Sequence, residues 1–281
     1  MKRLCVIGDP VGHSLSPLIH NAALEHLGLH KEYVFEKRKV SSEGLADFVR
    51  LVRQREFYGL AVTMPHKRTI IPLLDEISEE AKLAGAVNTV YWLGEKLVGH
   101  NTDGSGCIKA LEAAKATVKG KIIVVVGAGG AAGAIAASLC MTGAKRLYIL
   151  NRTLKKAKAI AEVVRKASDT EVFAMDLDLI EEALANANIL INATFVGMKG
   201  SQKKTIVPMA SIKRDMTVLD LVYDPAQTTL IKDAKRVGAI AVPGSEMLLQ
   251  QGALQFKLFT GKDAPLDAMR AALRKKLEAA R

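Results

Sequence analysis

Ile122-Ile123-Val124-Val125-Val126-Gly127-Ala128-Gly129-Gly130-Ala131-Ala132-Gly133 contains a β-branched apolar run, a glycine string and the start of an alanine-rich segment. An unbroken β-branched run reads as a strand buried on both faces, the kind found in parallel sheets. Alanine after the glycines favours a helix. Gly127, Gly129 and Ala132 therefore fit G-x-G-x-x-A placed between a strand and a helix. The first glycine permits a tight turn, and the second lets a pyrophosphate approach the backbone. The small third residue lets helix and strand pack closely. The helix N-terminus offers unbonded N–H groups and the positive end of its dipole to phosphate. A glycine string alone could be a mere tight turn. In this context it predicts dinucleotide binding.

Working outward, the next strand, Arg146–Leu150, runs into Asn151-Arg152-Thr153. A site for NAD usually has a carboxylate here for the ribose 2′-hydroxyl, whereas a guanidinium suits a 2′-phosphate. The reading favours NADP over NAD. The blander account has Arg152 capping a helix or lying in solvent.

The same rhythm extends in both directions. Strands are expected at Val172–Ala174, Ile189–Ala193, Val218–Val222 and Ala239–Val242. Helices of 10 to 15 residues should separate them, except in the loop after Ala193. Before the glycine turn, strand-like Leu4–Ile7, Tyr33–Phe35 and Leu60–Thr63 alternate with helical Pro17–Leu27, Glu43–Gln54 and Lys67–Ile77. Asn88–Val90 and Lys96–Val98, joined through Gly94-Glu95, read as a hairpin. Glu246–Phe259 and Pro265–Arg281 are helical with no strand between them. The fold class is α/β, with two α/β units and a terminal helical pair.

At 281 residues the chain is long enough for about two domains. Its net charge of +11 attracts anions, but basic clusters such as Lys155-Lys156-Ala157-Lys158 fall on helical faces. No basic run is interleaved with aromatics, so no nucleic-acid partner is expected. No stretch of about 20 apolar residues exists, so no membrane partner is expected. Leu4–Ile7 is too short to be the core of a signal peptide. Cys5, Cys107 and Cys140 are far apart and flanked by apolar or small residues, which suits buried thiols in a reducing, cytoplasmic compartment. A homodimer is compatible with these features.

Several short motifs in the first half carry chemistry. Ser16-Pro17 reads as the N-cap and first residue of a helix, and Ser14 and Ser16 together could hold a carboxylate there. Lys67 follows a strand's carboxyl end, where open α/β sheets place ligands. Asn101-Thr102-Asp103-Gly104 could be a turn. All six histidines lie in the first hundred residues. His26 and His30 are four apart, but Gly28 should end their helix and no further ligand completes a set, so no metal is expected.

Taken together these segments resemble the shikimate dehydrogenase family. The matching stretches are Gly12-His13-Ser14-Leu15-Ser16-Pro17 with His20-Asn21, Val62-Thr63-Met64-Pro65-His66-Lys67, Gly85-Ala86-Val87-Asn88-Thr89 and Asn101-Thr102-Asp103-Gly104-Ser105-Gly106. They continue through Gly127–Ala131, Asn151-Arg152-Thr153, Asn192-Ala193-Thr194 with Gly197-Met198, Asp220–Pro225, Gly244, Met247-Leu248 and Gln251. The resemblance covers nearly the whole chain in order. Two departures stand out: Ala61 occupies a position where the family often has Asn, and Ala131-Ala132-Gly133-Ala134 is smaller than usual.

The resemblance implies NADP-linked reduction of 3-dehydroshikimate to shikimate, with the substrate between two α/β domains. It implies a substrate domain with a mostly parallel sheet at 1–103 and 244–281, and a Rossmann-like NADP-binding domain at 104–243. Lys67 and Asp103 would be the catalytic pair. Ser14 and Ser16 would hold the carboxylate, and Thr63, Asn88, Tyr223 and Gln251 would line the substrate site. Gly127, Ala128, Gly129, Gly130, Ala131, Asn151, Arg152, Thr153, Thr194, Leu221 and Gly244 would touch the cofactor. Three alternatives remain: a quinate/shikimate dehydrogenase using either nicotinamide cofactor, a non-catalytic NADP-binding regulator, and a tRNA-linked reductase. The second has no need of Lys67 with Asp103. The third needs a nucleophilic cysteine that the first half does not offer.

Overall fold

The computed structural model describes residues 1–279, so Ala280 and Arg281, the end of the expected terminal helix and of the expected substrate domain, lie outside the described residues. The chain forms two compact units. One comprises Met1–Asp103 together with the chain from Leu249 onward, and the other is Gly104–Leu248.

The first unit holds β1 (Lys2–Gly8), α1 (Ser16–His26), β2 (Tyr33–Lys39), α2 (Leu45–Arg53), β3 (Gly59–Val62), β4 (Glu76–Ile77), α3 (Glu79–Ala84), β5 (Thr89–Leu93) and β6 (Lys96–His100). They make a six-stranded sheet in the order β2-β1-β3-β5-β6-β4. Strands β1, β2 and β3 are parallel, and β5 runs antiparallel to both β3 and β6. Gly94 takes φ +60° at the hairpin between β5 and β6. Apolar side chains of β1, β3, β5 and α2, among them Ile7, Val49, Leu60 and Val90, pack into one buried cluster.

The second unit holds α4 (Asp103–Ala113, whose first residue still belongs to the first unit), β7 (Ile122–Val126), α5 (Gly130–Met141), β8 (Arg146–Asn151), α6 (Leu154–Arg165), β9 (Glu171–Asp176), α7 (Ile180–Leu184), β10 (Ile189–Asn192), β11 (Thr217–Asp220), α8 (Thr229–Val237) and β12 (Ile240–Val242). All its strands are parallel, in the order β12-β11-β10-β7-β8-β9. This is the doubly wound order, with its switch point between β7 and β10. The run that decides the fold, β7, lies at the centre, bonded to β10 on one side and β8 on the other. Helix α9 (Gly244–Thr260) carries the chain back into the first unit, and α10 (Leu266–Glu278) follows. The crossing falls at Leu249, inside α9, rather than at Gly244.

Three local expectations are corrected. Lys67–Ile77 is not a helix but a series of turns, a 3₁₀ turn at Ile71–Leu73 and β4. Pro72 lacks an N–H for a helical ladder, Leu74 is extended, and the Asp75 side chain accepts from the Leu97 N–H at 2.7 Å. Ser16 is the first helical residue of α1 and Leu15 is its N-cap, with no side-chain cap bond. The helix between β9 and β10 has only 5 residues, preceded by a 3₁₀ turn. As expected, Gly28 is left-handed (φ +68°) just past the end of α1. No helix among the described residues is long and apolar enough to cross a membrane.

Candidate active site

The carboxyl ends of β3 and β6 bring the first chemical group together. The segment after β3 is pinned along its length. The Thr63 N–H donates to Ile7 O at 2.9 Å, the His66 ring bonds Val40 O at 2.7 Å, and the Val87 N–H donates to Lys67 O at 2.7 Å. Asp103 is the first residue of α4, where the helix dipole favours negative charge. The Asn101 side chain braces that turn, donating to Ala86 O at 2.8 Å and accepting from the Asp103 N–H at 2.9 Å.

Lys67 Nζ meets Asp103 Oδ2 at 2.6 Å. The other carboxylate oxygen, Oδ1, accepts from Asn88 Nδ2 at 2.7 Å. Thr102 closes the cluster: its N–H donates to Asn88 Oδ1 at 2.9 Å, and its hydroxyl accepts from Asn88 Nδ2 at 3.0 Å. The lysine side chain is 20% exposed and the aspartate 8%, so the amine is the member that solvent or a ligand can reach. Sequence reasoning missed Asn101 and Thr102 as parts of this cluster. Their only signal was membership of the Asn-Thr-Asp-Gly string.

The other residues expected at the substrate are less tightly joined. Ser14 and Ser16 are buried and share a hydroxyl–hydroxyl bond of 3.3 Å. Thr63 is half-buried, and its methyl packs where a side chain at Gly8 would otherwise sit. Gln251 is buried on α9. Tyr223 follows β11 in the second unit, and burial pushes its phenol above the usual range.

The second group is the glycine turn. Gly127 takes φ +119°, and a methyl there would stand 2.8 Å from Ala193 O. Only glycine allows the turn to lie against the loop after β10. Gly129 is different: it is exposed, extended (φ −87°), and nothing lies within 4 Å of where its Cβ would be. Ala128 lies between these glycines, and Gly130 and Ala131 begin α5. Leu150 pairs with Val126, so Asn151, Arg152 and Thr153 emerge beside the glycine turn. Asn151 Nδ2 is tied to Thr153 O at 3.0 Å, whereas Arg152 is exposed and makes no ion pair among the described residues. Thr194 is held by Asn192 Oδ1 at 2.7 Å, and the Leu221 N–H donates to Asn192 O at 2.9 Å. Gly244 lies against the carbonyls of Leu221 and Val222. No group of three or more potential metal ligands occurs among the described residues.

A doubly wound sheet with an open glycine turn, and a lysine–carboxylate pair at strand ends, are the working parts of a nicotinamide-nucleotide-dependent oxidoreductase. Family profiles match along the chain: "Shikimate dehydrogenase substrate binding domain" over residues 6–90, "Shikimate / quinate 5-dehydrogenase" over 109–226 and "Shikimate 5'-dehydrogenase C-terminal domain" over 244–274. A relative from Alkaliphilus metalliredigens, named shikimate dehydrogenase (NADP(+)), is 41% identical over 266 residues, spanning 93% of this chain and 92% of its own. A solved shikimate dehydrogenase in complex with NADP+ superimposes with a TM-score of 0.91 at 38% identity, covering 99% of this chain and 96% of that one. The shikimate 5-dehydrogenase of Listeria monocytogenes, solved with shikimate and NAD, gives 0.90 at 35% identity over 97% and 96% of the two chains. The chain belongs to the shikimate dehydrogenase family.

Proposed function

We propose that the protein catalyses the reversible, NADP-linked reduction of 3-dehydroshikimate to shikimate, with Lys67 and Asp103 as its acid–base pair. The observation that carries this reading is the 2.6 Å contact of Lys67 Nζ with Asp103 Oδ2, whose other oxygen is already committed to Asn88. In this reading the first unit binds substrate and the second binds cofactor.

The residues present fit the cofactor. The turn at Gly129 leaves open space beside the first N–H groups of α5, which suits a pyrophosphate. Arg152, exposed next to that turn, suits a 2′-phosphate. Gly127 to Ala131, Asn151 to Thr153, Thr194, Leu221 and Gly244 would hold the rest. When bound, the nicotinamide supplies the hydride.

Everything else falls to side chains. A ketone that accepts a hydride develops charge on oxygen and needs a proton there. The Lys67 ammonium offers both neutralising charge and the proton, and in the oxidative direction its amine takes the proton back. Asp103 restricts where the ammonium can lie and can accept a hydrogen bond from a substrate hydroxyl. Asn88 prevents the carboxylate from rotating. Ser14 and Ser16 would give hydroxyl donors to the substrate carboxylate, while Thr63 and Gln251 would complete the lining in this unit. Cys5, Cys107 and Cys140 are buried thiols, which supports a cytoplasmic setting.

The test is absorbance at the NADPH band with shikimate and quinate, each offered with NADP and with NAD. Shikimate with NADP should give the highest kcat/KM. Use of NAD is the second reading, favoured by the NAD-bound relative, and equal rates with both cofactors would establish it. No turnover with any pair would sink the proposal.

A further inference from the structure

We propose that Gln255 is a positioning residue for the catalytic carboxylate, acting through a buried chain of hydrogen bonds that runs Gln255–Thr89–Asn88–Asp103. This inference rests on the catalytic pair proposed above.

Gln255 lies on α9, 166 positions from Thr89, and is 2% exposed. Its amide Nε2 donates to Asn88 O and to Thr89 Oγ1, each at 3.0 Å. A carbonyl can only accept, so the contact with Asn88 O fixes which end of the Gln255 amide points inward. Thr89, fully buried, has one hydroxyl proton. Because its oxygen accepts from Gln255, that proton is directed to Asn88 Oδ1 at 2.7 Å. Asn88 Oδ1 also accepts from the Thr102 N–H at 2.9 Å, which turns Asn88 Nδ2 toward Asp103 Oδ1 at 2.7 Å. Each donor thus sets the direction of the next. At its far end the Gln255 side chain faces the buried ring of His20 as a hydrogen-bonding neighbour. What it supplies to the chain is the pair of inward bonds.

Substitutions that keep the shape test this. Gln255→Met removes the donor, and Thr89→Val removes the hydroxyl. Each should lower kcat about tenfold with KM for shikimate little changed. The double variant should be no worse than either alone, because both break the same chain. Gln255→Glu reverses the polarity: its carboxylate can only accept and would turn the Thr89 proton away from Asn88, whereas its protonated form can donate. His20 is the titratable group that faces this position, so the profile is read with His20→Phe in the same background; kcat relative to wild type should still recover as pH falls, which a residue that merely fills space would not produce.

Native kcat and a native pH profile in Gln255→Met, or additive effects of Gln255 and Thr89, would overturn the role. If Gln255→Met does not fold, as read by its melting curve, Thr89→Val and the pH profile of Gln255→Glu decide. Asp103→Asn separates the two readings. If it is inactive while Gln255→Met and Thr89→Val are native, only the positioning role falls. If it turns over like wild type, the catalytic pair falls as well.

Discussion

Two glycines in one turn should fail in opposite ways when each is changed to alanine. At Gly127 the backbone takes φ +119°, and a Cβ would lie 2.8 Å from Ala193 O and 3.0 Å from Ala193 C. Those are backbone atoms, so no side-chain rotation relieves the overlap. A strained backbone costs about 1–3 kcal/mol and overpacking about as much again, so Gly127→Ala should cost roughly 4 kcal/mol. For a protein of this size that is a fall in Tm of roughly 8–16 °C. Gly129 sits at φ −87° and ψ −174° with nothing within 4 Å of its Cβ position. Gly129→Ala should leave Tm unchanged or raise it slightly, since alanine stiffens the unfolded chain by about 0.4–1 kcal/mol. Its methyl would instead occupy the space assigned to the pyrophosphate. The assays are thermal unfolding without ligand, then NADP titration and the shift in Tm that saturating NADP produces. Gly127→Ala should fail the first assay, and Gly129→Ala should pass it and fail the others. Native NADP affinity in Gly129→Ala would refute the placement of the phosphates. A native Tm in Gly127→Ala would refute the steric argument.

Lys67→Ala should reduce kcat by about 10²–10⁴-fold with little change in shikimate affinity, measured by steady-state kinetics and ligand titration. Arg152→Ala should weaken NADP by about 10–100-fold and NAD hardly at all, the loss of a charge-assisted hydrogen bond; equal losses would show that Arg152 does not read the 2′-phosphate. His20 is buried against Phe35, Phe256 and Phe259, and burial pushes its pKa down to about 3. The unfolded chain therefore takes up this proton below its ordinary value of about 6.5 while the native state does not, so stability falls by about 1.4 kcal/mol per pH unit from there down to about pH 3. Denaturant midpoints at pH 7 and pH 5 should lie closer together in His20→Phe than in wild type.

What was legible in the sequence was local. The strand, turn and helix from Ile122 to Met141 are consecutive, and their residues state both the period and the turn chemistry. The hairpin at Gly94 and the helix end at Gly28 are of the same kind. Lys67–Ile77 misled because Ile70, Ile71, Leu73 and Leu74 fall at helical spacing, yet they pack from turns whose bonds go to distant residues such as Leu97. Ser16 misled by one position, because its oxygen bonds Ser14 instead of capping the helix. The pairing of Lys67 with Asp103 came from resemblance, since the two residues are 36 positions apart. Gln255 had no signal at all. Nothing in the sequence around it says that its amide will meet Thr89 from the opposite end of the chain.

The two buried aspartates among the described residues, Asp103 and Asp220, show how the same side chain is turned to different ends by its partners. Asp220 is fully buried and accepts only from neutral donors: Asn192 Nδ2 at 2.9 Å, Thr228 Oγ1 at 2.6 Å and the Val222 N–H at 3.1 Å. Burial outweighs those bonds and pushes its carboxyl above the usual range. With no cation to exchange a proton with, it ties the ends of β10 and β11 together. Those ends carry Ala193, Leu221 and Val222, the backbone against which Gly127 and Gly244 rest. Asp103 also has neutral donors around it, but one of its oxygens is given to Lys67, whose amine stays accessible. A carboxylate saturated by neutral donors can only hold a shape. One that shares an oxygen with an exposed ammonium can hold that ammonium in place while its proton is exchanged with a ligand. By that criterion the proposed catalytic carboxylate is Asp103 rather than Asp220, whose burial serves the glycine turn proposed to receive the phosphates.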